Sequence, residues 1–208
     1  MRWSAEAKLE TSDSSTAVVV PGNRHVVFWG IGVLGCALDL LTKYLVFQWR
    51  GMPLASPIWW IWEPYIGIET ALNRGALFGM GAGFGKGFAA LSVIAAVGIV
   101  VWLFWLGAAR DWLLTIALGC VMGGIGGNLY DRLGFWQVPG APGTFGSEVR
   151  DWILLRYQNH TWPNFNIADS LLVCGACLLL WHGFRGDKPR AAAPVGAVQD
   201  GPVREGES

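Results

Sequence analysis

Five islands of polar residues interrupt an otherwise apolar chain, and their types suit acid–base work or ordinary scaffolding. In "WPNFNIADS" (Trp162–Ser170), amides and a carboxyl group lead straight into the apolar run "LLVCGACLLLW". Asn166 and Asp169 are three residues apart, so they share a face of the helix that starts there. Asn is a favoured helix cap and a first-turn Asp suits the helix dipole, so the alternatives are capping and chemistry held at a membrane surface. In "LDLLTKY", Asp39 precedes Lys43 by one helical turn in the favourable acid-first order. That pair either neutralises itself and orients a helix, or acts directly. "NRGALFGM" supplies Asn73, Gly75 and Ala76, a turn or a binding element at a membrane edge. "GCVMGGIGGNLYDRL" ends in Asn128, Asp131 and Arg132. Asp131–Arg132 reads as an interfacial charge pair, and with Asn128 as a structural polar network or a substrate contact. Asp151 in "VRDWILL" passes, on its own, for a loop acid.

The elements that must position these groups are membrane helices. Of 208 residues, 53% are apolar and only 14% charged, with 13 Trp. Soluble domains carry about a quarter charged residues. Four segments approach the ~20 apolar residues that cross a bilayer, at about 25–49, 87–107, 112–133 and 166–184. Residues 1–24 and 185–208 read as polar, disordered tails. The N-terminal tail has only "AVVV" as an apolar core, too short for a cleavable signal peptide, so the first helix should be retained. The Lys/Arg distribution weakly favours both termini in the cytoplasm.

Between the first two crossings, "PIWWIWEPYIGIET" carries three Trp for the headgroup layer, and its prolines favour short extended strands lying on the membrane. "GAGFGKG" lacks the spacing of a phosphate-binding loop and reads as a hinge. Gly119, Gly123 and Gly127 leave one face of the third crossing bare for close packing. Cys174 and Cys177 sit in an apolar helix, where burial is the expected role. The remaining cysteines and three scattered histidines give no metal site, and the zero net charge gives no reason to expect nucleic acid.

Alternating crossings bring the polar islands to one face. Asp169 lies ~5 Å inside its helix start, and Asp131 ~28 Å along the third helix, near the same boundary. Nothing comparable is expected in the other leaflet. Independent caps would not sort themselves that way. A small transporter would need polar groups through the full depth. A noncatalytic four-helix scaffold would explain the glycines but leave the acids idle.

Together these stretches resemble the bacterial lipoprotein signal peptidases, or signal peptidase II, from about Asp39 to Ser170. D-x-x-T-K appears as Asp39, Thr42 and Lys43, with Leu40 where Gln is common. N-x-G-A-x-F appears as Asn73, Gly75, Ala76 and Phe78. G-G-x-x-G-N-x-x-D-R appears as Gly123, Gly124, Gly127, Asn128, Asp131 and Arg132. F-N-x-A-D-S is complete, from Phe165 through Asn166, Ala168 and Asp169 to Ser170. The V-x-D aspartate corresponds to Asp151. Twenty residues separate it from Asp131, a longer interval than the pattern has, through "GFWQVPGAPGTFGS". Arg150 and Trp152 are unusual neighbours for it.

The resemblance implies a catalytic dyad of Asp151 and Asp169. It implies substrate-binding or structural roles for Asp39, Lys43, Asn73, Gly75, Asn128, Asp131, Arg132, Asn166 and Ala168. It further implies an aspartic endopeptidase without cofactor or metal. Its substrate would be a diacylglyceryl-modified prolipoprotein, cut before the lipidated cysteine. The expected fold class is an all-α integral membrane protein of four transmembrane helices, with a small extracytoplasmic β-like cradle and loop on one face. The expected setting is the bacterial inner membrane among its lipids, as a monomer with the site near the outer face.

Overall fold

The structure, a computed structural model, describes residues 19–75 and 84–185. The motif residues Ala76 and Phe78, most of both expected tails, and the first part of the hinge sequence lie outside the described residues. Among the described residues, four helices are long and apolar enough to cross a membrane. Helix α1 spans Gly22–Arg50, α3 Trp112–Arg132 and α4 Ile167–Phe184. Helix α2 spans Gly85–Val100 and continues through one π-helical turn, Val101–Trp105.

Helix α1 starts three residues before the expected His25, taking in Gly22, Asn23 and Arg24 from the expected tail. Tertiary contacts explain the difference. The Arg24 Nε donates to the Ala109 carbonyl at 3.1 Å, and its guanidinium lies 3.3 Å from the Trp112 ring centroid. The polar turn is thereby anchored on the start of α3. Beside it, Phe28, Leu103, Ala109, Leu114 and Leu118 form the apolar core of that end of the bundle.

Helices α1, α3 and α4 carry the site, with α3 in the middle. A Cβ on Gly119 would come 3.2 Å from Ile31 Cβ, and one on Gly123 3.2 Å from the Gly32 carbonyl. A Cβ on Gly127 would fall on the Asp39 carboxylate. The bare face of α3 thus lets α1 approach to backbone distance. The outward faces remain apolar: Leu34, Leu38, Leu41 and Leu45 on α1, and Val173 and Leu180 on α4, are all exposed. Cys174 and Cys177 lie on such a face and are exposed rather than buried, because α4 packs through its other side.

A four-stranded antiparallel sheet in the order β1-β2-β5-β6 packs at the opposite end of the bundle, where α1 and α3 end and α4 begins. Its strands are β1 (Trp59–Trp62), β2 (Ile66–Asn73), β5 (Val149–Tyr157) and β6 (His160–Phe165). The Trp-rich segment is extended, as its prolines suggest. "VRDWILL", however, is no loop: it forms most of the nine-residue β5, paired on both edges. An all-α description therefore understates the fold. Strand β2 has an extra residue between Ile68 and Ala71, just before Ala71 pairs with Asp151. Such bulges re-aim side chains. The long excursion before β5 folds into a two-stranded hairpin, β3 (Trp136–Gln137) and β4 (Phe145–Gly146).

Candidate active site

The N-terminus of α4 is built by its own sequence. Asn166 is the N-cap, and its side-chain oxygen accepts the Asp169 N–H at 2.9 Å. Asp169 returns the bond by accepting the Asn166 N–H at 3.2 Å, which completes a capping box. Capping and site geometry are therefore the same contacts. The Asn166 amide nitrogen also donates to Asp151 Oδ1 at 2.6 Å. One residue thus addresses both carboxyl groups, with Asp151 arriving on β5 and Asp169 on α4.

Asn128, on the last turns of α3, extends the arrangement. Its amide nitrogen donates to Asp169 Oδ1 at 2.7 Å. Its oxygen accepts from Lys43 at 2.9 Å and from Asn166 at 3.1 Å. The Asp169 carboxylate therefore has a side-chain donor on one oxygen and a backbone donor on the other.

Asp151 is differently placed. It is buried, and burial pushes its carboxyl from the ordinary 3.8 up to about 7, helped by the negative charge of Asp169. The Asn166 hydrogen bond, the Lys43 charge and the Asn73 side chain oppose the rise without cancelling it. Two carboxyl groups in unequal surroundings, one on β5 and one on α4, are thus held by the same Asn166.

Behind the pair lies a dry ionic cluster. Lys43 Nζ sits 2.7 Å from Asp39 Oδ2 and 3.2 Å from Asp131 Oδ2, with all three side chains fully buried. Asp39 Oδ1 accepts the Ala168 N–H at 2.9 Å, so α1 holds the first turn of α4. The expected Asp39–Lys43 pair forms, but Lys43 is shared. The expected Asp131–Arg132 pair does not form: the ion partners of Asp131 among the described residues are Lys43 and Arg150. Successive helical residues point about 100° apart, so Asp131 faces the cluster while Arg132 turns away. Arg132 instead donates to the Gly75 carbonyl at 2.9 Å and lies near the Phe88 ring, its charge acting on both Asp151 and Asp169. Gly75 N–H closes a turn on the Asn73 side chain at 3.0 Å.

All eleven site residues expected from the sequence thus converge on one end of the bundle. Arg150 and Trp136 were not anticipated as part of it. The available signal was an arginine at the head of an apolar strand, directly beside an acid that the motif pattern reserves for another role. The other end is not wholly apolar either: His182 Nε2 lies 3.4 Å from Asp111, which caps α3. That pair is solvent-accessible at the helix ends and leaves the membrane interior apolar there.

Four spans with a shielded carboxyl pair at one end define a polytopic membrane enzyme. A family model described as signal peptidase II matches residues 31–185, and the chain belongs to that family, which makes it a peptidase. It is 53% identical to the lipoprotein signal peptidase of Rhodopirellula baltica, over 87% of this chain and 82% of that one. It is 33% identical to the lipoprotein signal peptidase of Teredinibacter turnerae, over 77% and 89% of the two chains. With the lipoprotein signal peptidase of Geobacillus thermodenitrificans the identity is 34%, over 78% and 92%. The fold also matches a solved bacterial membrane enzyme with a TM-score of 0.66 at 22% identity, over 84% of this chain and 95% of that one.

Proposed function

We propose that this chain is an aspartic endopeptidase that removes signal peptides from diacylglyceryl-modified prolipoproteins, cutting before the lipidated cysteine. The observation that carries the reading is the Asn166 bridge. A single residue holds Asp151 and Asp169 in a site where burial leaves Asp151 protonated near neutrality. Asp169, fed by two donors, is the base that takes a proton from water. The water oxygen bonds to the scissile carbonyl carbon while Asp151 gives its proton to the carbonyl oxygen. When the tetrahedral intermediate collapses, the C–N bond breaks and the leaving nitrogen receives the proton held by Asp169. The hydroxyl proton of the intermediate returns to Asp151, restoring the starting protonation.

Asp39, Lys43, Asp131 and Ala168 hold the framework, and Asn73, Gly75, Asn128, Arg132 and Asn166 line the approach to the pair. Arg132 carries a positive charge toward both acids without a paired carboxylate in hydrogen-bond range among the described residues, which suits it to a substrate carbonyl. A lipid-bearing substrate stays in the bilayer, so its scissile bond lies at headgroup depth. That fits a pair lying within one helical turn of the α4 start. The reading includes cytoplasmic termini, a site near the outer face of the inner membrane, and action as a monomer among membrane lipids. A transporter reading is not favoured, since the buried ions cluster at one end of the bundle.

The test is cleavage of a diacylglyceryl-modified prolipoprotein peptide and its unlipidated twin. Wild type should cut the first and spare the second. Asp151→Asn and Asp169→Asn should cut neither while remaining folded and membrane-inserted. Normal processing by either variant removes that aspartate from the pair.

A further inference from the structure

The ionic cluster does more than neutralise itself: it links the residues immediately preceding the two acids. Arg150 is only 4% exposed, and it is fixed on Asp131 at three points. Its backbone N–H donates to Asp131 Oδ2 at 3.0 Å. Its Nε and one terminal nitrogen converge on Asp131 Oδ1 at 3.2 and 2.7 Å. Asp131 then meets Lys43, Lys43 meets Asp39, and Asp39 receives the Ala168 N–H. Arg150 precedes Asp151 and Ala168 precedes Asp169. The four charged side chains form a quartet of two acids and two bases on β5, α3 and α1, tied to α4 through the Ala168 N–H.

The hairpin of the long excursion closes this quartet from behind. Trp136 is 3% exposed, and its ring centroid lies 5.0 Å from the Arg150 guanidinium carbon. Its indole N–H donates to the Glu148 carbonyl at 3.1 Å, and Phe47 of α1 meets its ring edge-on. A side chain at Gly146, across the hairpin, would fall on that ring. The excursion is therefore folded around a tryptophan that shields an arginine from water. A shielded ion pair is screened far less than an exposed one, and its geometry is correspondingly firmer.

We infer that Arg150 is a positioning residue for the peptidase reaction: forked on Asp131 and sealed by Trp136, it locks strand β5 to helix α3 and so aims the Asp151 carboxyl at Asp169. This rests on the two-aspartate reading above. Arg150 touches no reacting atom. It fixes the backbone on which Asp151 is carried, and small misplacements of a reacting group are costly in rate. The charged groups facing Asp151 are Asp169 on α4, Lys43 on α1 and Arg132 on α3, with the Asn166 and Asn73 amides beside them.

The experiment uses purified full-length protein and the diacylglyceryl-modified peptide, with rates normalised to folded protein. Arg150→Met should lower kcat by about tenfold or more while KM stays within about twofold, the signature of misplacement rather than weakened binding. The alkaline limb of its pH–rate profile should move to higher pH, because the cluster beside Asp151 loses one positive charge and Asp131 keeps only Lys43, which it shares with Asp39. A purely structural role would change the folded fraction and leave both kcat and that limb in place. The double variant Asp131→Asn/Arg150→Met removes opposite charges together. It should recover the fold yet keep the low kcat.

A wild-type kcat in Arg150→Met, a loss confined to KM, or a double variant restored to wild-type turnover would each overturn the inference. If Arg150→Met does not fold, the double variant decides alone by the same criterion. Asp151→Asn and Asp169→Asn run alongside. Cleavage by either sinks the two-aspartate reading, whereas dead aspartate variants beside a normal Arg150→Met sink only the positioning role.

Discussion

Replacing Asp151 by Asn should change how stability depends on pH, and the structure gives the size of the effect. In the folded protein the Asp151 carboxyl is pushed up to about 7, from 3.8 when it is free. The folded state therefore holds this proton more tightly than the unfolded chain. Its contribution to stability is complete below the unfolded value and is lost as pH rises through the folded one. Between pH 5 and 7 the loss is roughly 2.3 kcal/mol, since half the protons are still bound at pH 7, and it reaches roughly 2.6 kcal/mol by pH 8, at about 1.4 kcal/mol per unit of pKa difference. That figure is an upper bound, because the pair can relax. Asn has no proton to lose and can still accept the Asn166 amide through its own oxygen. The Asp151→Asn protein should thus gain on wild type by up to about 2.6 kcal/mol between pH 5 and pH 8. Denaturation in detergent micelles at the two pH values, followed by Trp fluorescence, reads this difference directly. Constant packing effects of the substitution cancel in the comparison. Asp169→Asn is the control: Asp151 stays buried there, and burial is the larger cause of its shift, so most of the wild-type decline should persist. Parallel pH curves for wild type and Asp151→Asn would refute the assignment of the shared proton to Asp151.

Further consequences follow from the same geometry. Cleavage by wild type should decline on the alkaline side with a midpoint near 7, as Asp151 loses the proton it must donate, and a pH–rate profile of kcat/KM will show the limb. Lys43→Met leaves Asp39 short of its cation, with Asp131 retaining only Arg150, and should cost about 3–5 kcal/mol in detergent unfolding together with activity. Gly127→Ala drives a methyl group onto the Asp39 carboxylate and should cost about 1–3 kcal/mol with loss of cleavage. Gly98→Ala, on α2 with open space around its Cα, should leave both measurements unchanged.

Several parts of the molecule are legible in residue order alone because their physics is local. Bilayer thickness requires long apolar runs, and all four appear as helices within a few residues of where composition suggests. The three-residue step from Asn166 to Asp169 encodes a capping box, and the four-residue step from Asp39 to Lys43 encodes a buried ion pair. Glycines repeating every fourth residue forecast the close approach of α1 to α3. The motif pattern, rather than spacing, pointed to Asp151.

Other features depended on contacts between distant segments. That "VRDWILL" is a strand follows from pairing with β2 and β6 rather than from its own composition. Asp131 pairs with Arg150 and Lys43, not with its neighbour Arg132, because helical geometry turns adjacent side chains apart while the hairpin of the long excursion returns Arg150 to α3. Lys43 serves two acids that lie 92 residues apart in the chain, Asp39 and Asp131. Residue order determined the spans and the caps, since each depends on near neighbours along a single helix. Only the tertiary fold decided which charges share a buried space, because a desolvated ion selects its partner by position in three dimensions.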